Sequence, residues 1–241
     1  MNILAIIPAR SGSKRLPSKN FLKLGDSPLI SYTINSAKKS KLINKIFVST
    51  DSKEVVKICK SHGIDIPILR PKKLAEDKTS SISVIKHVLL YLQKNENYEP
   101  DIILLLQPTS PFRTTQIIDK SIQLLKKSKA NSVISVKKIN SPLNYSFHYK
   151  NKMLIPYQKL SKTNSSNKNL DLFFPTGSVY TFWNKTLKNF DSIYGNKILP
   201  IFSKSPESID IDDIFDLFVS EMILLHWEIF KRKHPNSKIT V

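Results

Sequence analysis

Only one cysteine, Cys59, occurs in the 241 residues. The chain can therefore close no internal disulfide and build no Cys-rich zinc site. Glycine is scarce, with five in all. Both glycine-rich nucleotide loops, G-x-x-x-x-G-K-[ST] and G-x-G-x-x-G, are absent, and so is H-E-x-x-H. No His/Asp/Ser set suggests a hydrolase. Arginine is rare beside lysine: of 38 basic residues only five are Arg. Long apolar runs are missing too. The run over residues 102–106 is far too short to span a bilayer. The first residues lack the basic and long apolar regions of a secretory signal, so the expectation is a cytoplasmic chain without a membrane partner.

What is present suffices for a folded domain. Hydrophobic residues make up 40% and aromatics 9%, which excludes a disordered tail, because such chains lack the apolar surface that offsets ordering entropy. The length suits one large domain or one domain with a small appendage. The formal charge is 38 − 19 = +19. A basic field gathers polyanions, but Arg is the residue suited to bidentate phosphate and base contacts, and the lysines are spread without dense runs. No nucleic-acid partner is expected. The field would still attract a small polyphosphate or a carboxylated sugar.

Short β-rich runs alternate with helical patterns. Strands are expected over residues 3–7, 45–49, 66–69, 101–106 and 132–136. Helices are expected from Ser27 and Pro28 through Ala37, and over residues 52–61, 80–93 and 114–127, with Gly63 ending the second. This alternation predicts an α/β fold with a mostly parallel sheet and helices on both faces. From about Asn140 the pattern changes to a hairpin and a polar loop. A strand resumes over residues 177–183, a strand end is expected at 208–211, and a long helix at 213–231. The expected organisation is one α/β domain over 1–139 and 173–233, an inserted arm over 140–172 and a flexible tail over 234–241.

Chemistry concentrates after the first strand, in I-P-A-R-S-G-S-K-R-L-P-S-K-N over residues 7–20. Ser11, Gly12 and Ser13 can turn backbone N–H groups toward an anion. Arg10, Lys14, Arg15 and Lys19 add four positive charges. Ligands of open α/β sheets bind at strand carboxyl ends, and a triphosphate is the natural guest. Asp210 and Asp212, one residue apart, share a face of an extended segment while Ile209 and Ile211 point the other way. Two such carboxylates suit Mg²⁺, which favours a few carboxylates plus phosphate oxygens; Asp212 or Asp213 also suits a helix cap. Gln107 leaves a strand end with an amide that both donates and accepts, and Pro108 and Pro111 stiffen its loop. Arg113 suits either substrate or a nearby carboxylate. Cys59, His87, His226 and Trp227 read as packing residues.

The 7–20 segment resembles the signature of the acylneuraminate cytidylyltransferase family. Further matches follow in order: Ser49-Thr50-Asp51; Arg70-Pro71 with Leu74-Ala75 and Asp77; Gln107 through Arg113; Gly177 through Tyr180; and Ser208 through Asp212. The resemblance implies a nucleotide-diphospho-sugar-transferase-like fold and an enzyme that transfers CMP from CTP to the anomeric hydroxyl of a nine-carbon keto sugar acid, releasing pyrophosphate. It implies Mg²⁺ on Asp210 and Asp212, with Lys14 and Lys19 stabilising charge. Arg10, Ser11, Gly12, Ser13, Lys14, Lys19, Asn20, Arg70 and Ser81 would hold the nucleotide. Gln107, Thr109, Phe173, Phe174 and Gly177 would meet the sugar. Residues 140–172 resemble the family's dimerisation element, which implies a homodimer. The chain departs from the pattern before Gly177, where Phe173-Phe174-Pro175-Thr176 carries no basic residue. The two rings suit a deoxy, N-acylated acid of the legionaminic or pseudaminic type. Three other readings stand beside this one: a glycosyltransferase using Asp210-Ile211-Asp212 as its D-x-D metal motif, a basic nucleic-acid-binding protein, and an inactive relative kept as an interaction protein.

Overall fold

The structure, a computed structural model, describes residues 1–139, 147–150, 153–156 and 171–234. Strand β1 (Ile3–Pro8) is followed by a tiny hairpin of β2 (Lys23–Leu24) and β3 (Ser27–Pro28). Then come α1 (Leu29–Lys38), β4 (Lys45–Ser49), α2 (Lys53–Ser61), α3 (Ser81–Glu96), β5 (Ile102–Leu105), α4 (Thr115–Lys127) and β6 (Ser132–Lys138). A second hairpin, β7 (Phe147–Lys150) and β8 (Met153–Pro156), precedes β9 (Phe173–Trp183), α5 (Asn184–Phe190), β10 (Ile198–Phe202) and α6 (Ile214–Lys233).

Six strands form one sheet in the order β10-β6-β9-β5-β1-β4. β9 pairs antiparallel with β5 and β6, and every other pairing is parallel. The uninterrupted apolar stretch of β1 reflects burial on both faces. Ile3, Ala5 and Ile7 pack with α1, α2 and α4 on one side, through residues such as Ile34, Val55 and Ile118. Leu4 and Ile6 pack with α3 and α5 on the other, through Ile85, Val88 and Leu187. A smaller cluster of Leu16, Leu24, Leu29, Ile211 and Leu217 ties the loop after β1 and the β2–β3 hairpin to α6.

Local chemistry sets the helix ends. The hydroxyls of Ser52, Ser80 and Thr114 accept N–H bonds from Val55, Ser83 and Ile117 and cap α2, α3 and α4. Gly63 (φ +69°) stops α2: its N–H bonds Lys60 O at 2.9 Å and the Ile64 N–H bonds Cys59 O at 2.9 Å, the paired closure that a left-handed residue permits. Asp213 caps α6 and exchanges bonds with Asp216 in a capping box.

Several sequence expectations need correction. Residues 66–69 form no strand; Pro67 lacks the N–H that a ladder needs, and the segment runs irregularly to Arg70, whose N–H bonds Thr50 O at 2.7 Å. Ser27 and Pro28 belong to β3, and Pro28 precedes the first turn of α1 instead of entering it. Residues 208–211 are not a strand. β9 begins at Phe173, not Gly177, and β6 continues to Lys138 beside it. α5 and β10 were not expected. β10 is an edge strand, which tolerates Pro200. His226 is exposed, and Trp227, half-buried, stacks on Phe230. The expected hairpin in the arm appears as β7–β8. The polar loop at 161–169, the remainder of the arm and the tail after His234 lie outside the described residues.

Candidate functional site

β1 and β5 end side by side at the carboxyl edge of the sheet, and the chain beyond each turns into a cavity of about 370 Å³. Pro8, Arg10, Gly12, Ser13, Lys19 and Asn20 reach it from the loop after β1. Gln107, Pro108 and Thr109 reach it from β5, and Arg70, Leu74, Glu76, Asp77, Thr79, Ser81 and Val84 line it as well. Asp210 and Asp212 complete the lining from the segment before α6. That segment is held in place because the Ile211 N–H bonds Thr109 O at 2.8 Å and the Ile211 side chain is fully buried. The alternation expected from the sequence therefore operates: the two carboxylates face the cavity while Ile209 and Ile211 pack into the small cluster.

The four cations of the loop are divided between two carboxylates. Arg10 and Lys14 pair with Asp77 at 2.8 and 2.7 Å. Arg15 and Lys19 pair with Asp212 at 2.7 and 2.9 Å. Lys14 and Arg10 accordingly hold the Asp77 carboxyl below the usual range. Partial burial pushes Asp212 upward, but Lys19 and Arg15 outweigh it and the net shift is down. Asp210 moves the other way: burial raises it, Asp212 beside it adds to the shift, and the Thr109 hydroxyl opposes it. Its Oδ1 is buried without a hydrogen-bond partner.

Asn20 is buried and donates from its amide to Arg10 O at 2.8 Å, pinning the loop. Gly12 has open space where a Cβ would stand and no left-handed backbone. Packing does not require glycine there; its bareness leaves the cavity rim clear. Arg70 is buried, with its Nε on Ser49 Oγ at 3.0 Å and its Nη2 on Ser49 O at 2.5 Å. Desolvation lowers it to about 10, so it carries charge into the cavity at neutral pH. Ser81, the first residue of α3, also faces the cavity.

The other expected contacts divide. Ser11 turns away: its N–H and Oγ bond the Asp51 carboxylate at 2.7 and 2.6 Å, so that N–H is not free for an anion. Lys14 stands at the rim on Asp77 and does not line the cavity. Gly177 (φ +74°) sits behind Gln107, and a Cβ on it would come 2.3 Å from Gln107 Oε1. Phe173 and Phe174 are exposed and outside the lining, with Phe173 against the Phe202 ring. Arg113 meets neither substrate space nor a carboxylate in hydrogen-bond contact. It is buried and donates to the Gln107 and Ser178 carbonyls and to Thr33 Oγ1. Its burial lowers it to about 9, against the pull of Asp210. Sequence reasoning assigned no site role to Glu76, Asp77 or Asp51. Only Asp51 and Asp77 fall within matched motifs, and their partners become visible in three dimensions.

Two carboxylates are the number Mg²⁺ takes when phosphate oxygens and water complete its shell. Among the described residues no group of three or more His, Cys, Asp or Glu forms a metal site without such help. The donor set therefore fits Mg²⁺ bound together with a phosphate ligand, and the unpartnered Asp210 Oδ1 is an available oxygen.

The chain is 35% identical over 215 residues to an N-acylneuraminate cytidylyltransferase of Escherichia coli O18:K1:H7, covering 89% of this chain and 50% of that one. It thus spans half the length of that relative. It is also 35% identical over 229 residues to a CMP-N,N'-diacetyllegionaminic acid synthase of Legionella pneumophila, covering 93% of this chain and 97% of that one. The fold matches a solved CMP:2-keto-3-deoxy-manno-octonic acid synthetase complexed with CTP (TM-score 0.69, 15% identity, 94% of this chain and 100% of that chain). The cytidylyltransferase family model matches residues 4–198, and the chain belongs to that family.

Proposed function

We propose that the chain transfers CMP from CTP to the anomeric hydroxyl of a nonulosonic acid, a nine-carbon 2-keto-3-deoxy sugar acid. The hydroxyl oxygen bonds to the α-phosphorus, the bridge between α- and β-phosphate breaks, pyrophosphate leaves and the hydroxyl proton is released. The observation that carries this reading is the meeting, in one cavity, of the cationic loop after β1 with Asp210 and Asp212. In this reading Arg10, Lys19 and Arg70 bind the phosphates, Ser13, Asn20 and Ser81 border the nucleotide, and Lys14 joins from the rim. Lys14 and Lys19 offset the charge that grows on the departing pyrophosphate. Gln107 and Thr109 orient the sugar. Asp210 and Asp212 would hold Mg²⁺, which when bound neutralises phosphate charge and favours the deprotonated hydroxyl.

The two curated relatives act, by their names, on a neuraminate and on a legionaminic acid, at equal identity to this chain. That pairing supports the nonulosonic class without choosing within it. Phe173 and Phe174 stand outside the cavity, so the choice of sugar is not read from them. A homodimer through residues 140–172 and a cytoplasmic setting belong to the same reading. Among the described residues no helix is long and apolar enough to cross a membrane.

The test is a pyrophosphate-release screen. Each nucleoside triphosphate is offered with Mg²⁺ and with N-acetylneuraminic, legionaminic, pseudaminic or octulosonic acid. Release is expected with CTP and a nine-carbon acid only. Release with the octulosonic acid alone, or with no acid, defeats the proposal. A ready-made nucleotide sugar consumed in place of CTP would favour a glycosyltransferase.

A further inference from the structure

Asp77 stands where a guest belongs. It lines the cavity and pairs with Arg10 at 2.8 Å and with Lys14 at 2.7 Å. Both cations come from the loop after β1, and the proposed reaction assigns both to phosphate. They therefore meet a phosphate with their charge already matched. Arg15 and Lys19 are tied to Asp212 in the same way, but in that reaction Asp212 has Mg²⁺ to receive. Glu76, the neighbour of Asp77 in sequence, also lines the cavity yet pairs with no cation among the described residues.

The two pairs are of a kind that opens. The Lys14 side chain is 83% exposed, and those of Asp77 and Arg10 are 38% and 32% exposed, so water screens both contacts and each is weak. Residues 71–79, which carry Asp77, include no buried residue. The N–H groups of Leu74, Ala75 and Thr79 bond carbonyls of Pro71, Lys72 and Glu76 within the same segment, and these bonds survive a shift of the segment. Arg10 is steadied elsewhere, since its carbonyl accepts the Asn20 amide at 2.8 Å. A phosphate brings more charge and more acceptor oxygens than one carboxylate, and it fits the guanidinium fork equally well.

We propose that Asp77 is an internal stand-in for the terminal phosphates of the nucleotide: it holds Arg10 and Lys14 between turnovers, yields them to the triphosphate, and takes them back as pyrophosphate departs. This rests on the phosphate-binding reading of the loop after β1. The carboxylate weakens the grip on triphosphate and pyrophosphate alike, which keeps the product from lingering on the cations. Asp77 is a positioning residue in this scheme, because it acts through Arg10 and Lys14.

Calorimetry with inorganic pyrophosphate and with tripolyphosphate, in the absence of metal, reads the exchange directly. Asp77→Asn is expected to bind both about fivefold more tightly than the native chain, with the gain shrinking at high salt. Glu76→Gln removes the same charge from the cavity without removing an ion pair, and its gain is expected to stay below about twofold. Asp77→Glu, which keeps a carboxylate, is expected to bind as the native chain does. In turnover, Asp77→Asn is expected to lower KM for CTP and the inhibition constant for pyrophosphate by similar factors, with KM for the sugar acid unmoved. A purely structural Asp77 predicts the reverse, weaker binding on its loss. Pyrophosphate affinity that is unchanged or weaker in Asp77→Asn, a gain as large in Glu76→Gln, or a native chain that binds neither polyphosphate would each overturn the proposal. Tighter binding by Asp77→Asn in a chain that never turns over CTP would instead count against the proposed reaction and leave the exchange standing.

Discussion

Arg113 illustrates how a residue outside the cavity governs one inside it. A buried guanidinium with no hydrogen-bonded carboxylate is costly unless its donors are used, and here they hold the Gln107 and Ser178 carbonyls together with Thr33. Arg113→Met leaves two buried carbonyls without that donor. It is expected to lower stability by about 3 kcal/mol in chemical denaturation and, through Gln107, to raise KM for the sugar acid more than KM for CTP. Arg113→Lys should recover part of the KM effect. Asp212→Asn is expected to cut kcat about a hundredfold or more in the pyrophosphate assay while the thermal midpoint stays within a few degrees, since Asp212 is a partly exposed residue. Cys59, pushed up to about 12 by burial, should resist iodoacetamide at pH 8 in the native chain and react once it unfolds; rapid native labelling would contradict its placement. At this scale the sequence displayed the Asp210–Asp212 spacing and the cationic loop, because adjacent positions carry both. It hid the Asp77 and Asp51 partnerships and the contacts of Arg113 with Thr33 and Ser178, which join residues 40 to 80 positions apart.

Among the elements, β1, β4 and β5 were readable because burial on both faces produces a compact apolar run with no competing pattern. The capped helices α2, α3 and α4 were readable for a different reason: a hydroxyl stands immediately before each periodic stretch. β10 escaped because Pro200 interrupts it and Ile198 and Phe202 are exposed, so it lacks the compact buried run of the other strands. Residues 66–69 misled because an apolar pair around Pro67 looks like a strand until its missing donor is counted. The closure of α2 gives the prediction here. Gly63 holds φ +69°, a conformation that costs a side-chain-bearing residue energy. Gly63→Ala should destabilise the fold by about 1 kcal/mol in urea, with the m-value unchanged. A neutral result would mean that the turn relaxes without the left-handed residue.

For the molecule as a whole, charge sets the response to acid. Asp77, Asp212 and Asp51 are each held below the ordinary carboxylate range, the first by Lys14 and Arg10. In the other two, burial opposes the shift and is outweighed by Lys19 and Arg15 for Asp212 and by Ser11 for Asp51. A carboxyl depressed in the folded state contributes stability above its unfolded pKa near 4, and that contribution is lost as pH falls through the folded value. Protonating carboxylates also drives the net charge above +19. Stability measured by urea titration should therefore hold between pH 5 and 7 and drop steeply below about pH 4, with added salt softening the drop by screening repulsion. A flat profile down to pH 3 would contradict the ion-pair geometry. One feature of the sheet reaches further. β9 alone runs against its neighbours, so the chain leaves β6 and re-enters β9 at the same edge, where the Ile139 N–H bonds Leu172 O at 2.8 Å. Everything between those stems is threaded onto the scaffold like a cassette, with its two ends already clasped. A cassette from a relative could be grafted there without disturbing the strands beneath, and the chimaera should keep its choice of nucleotide.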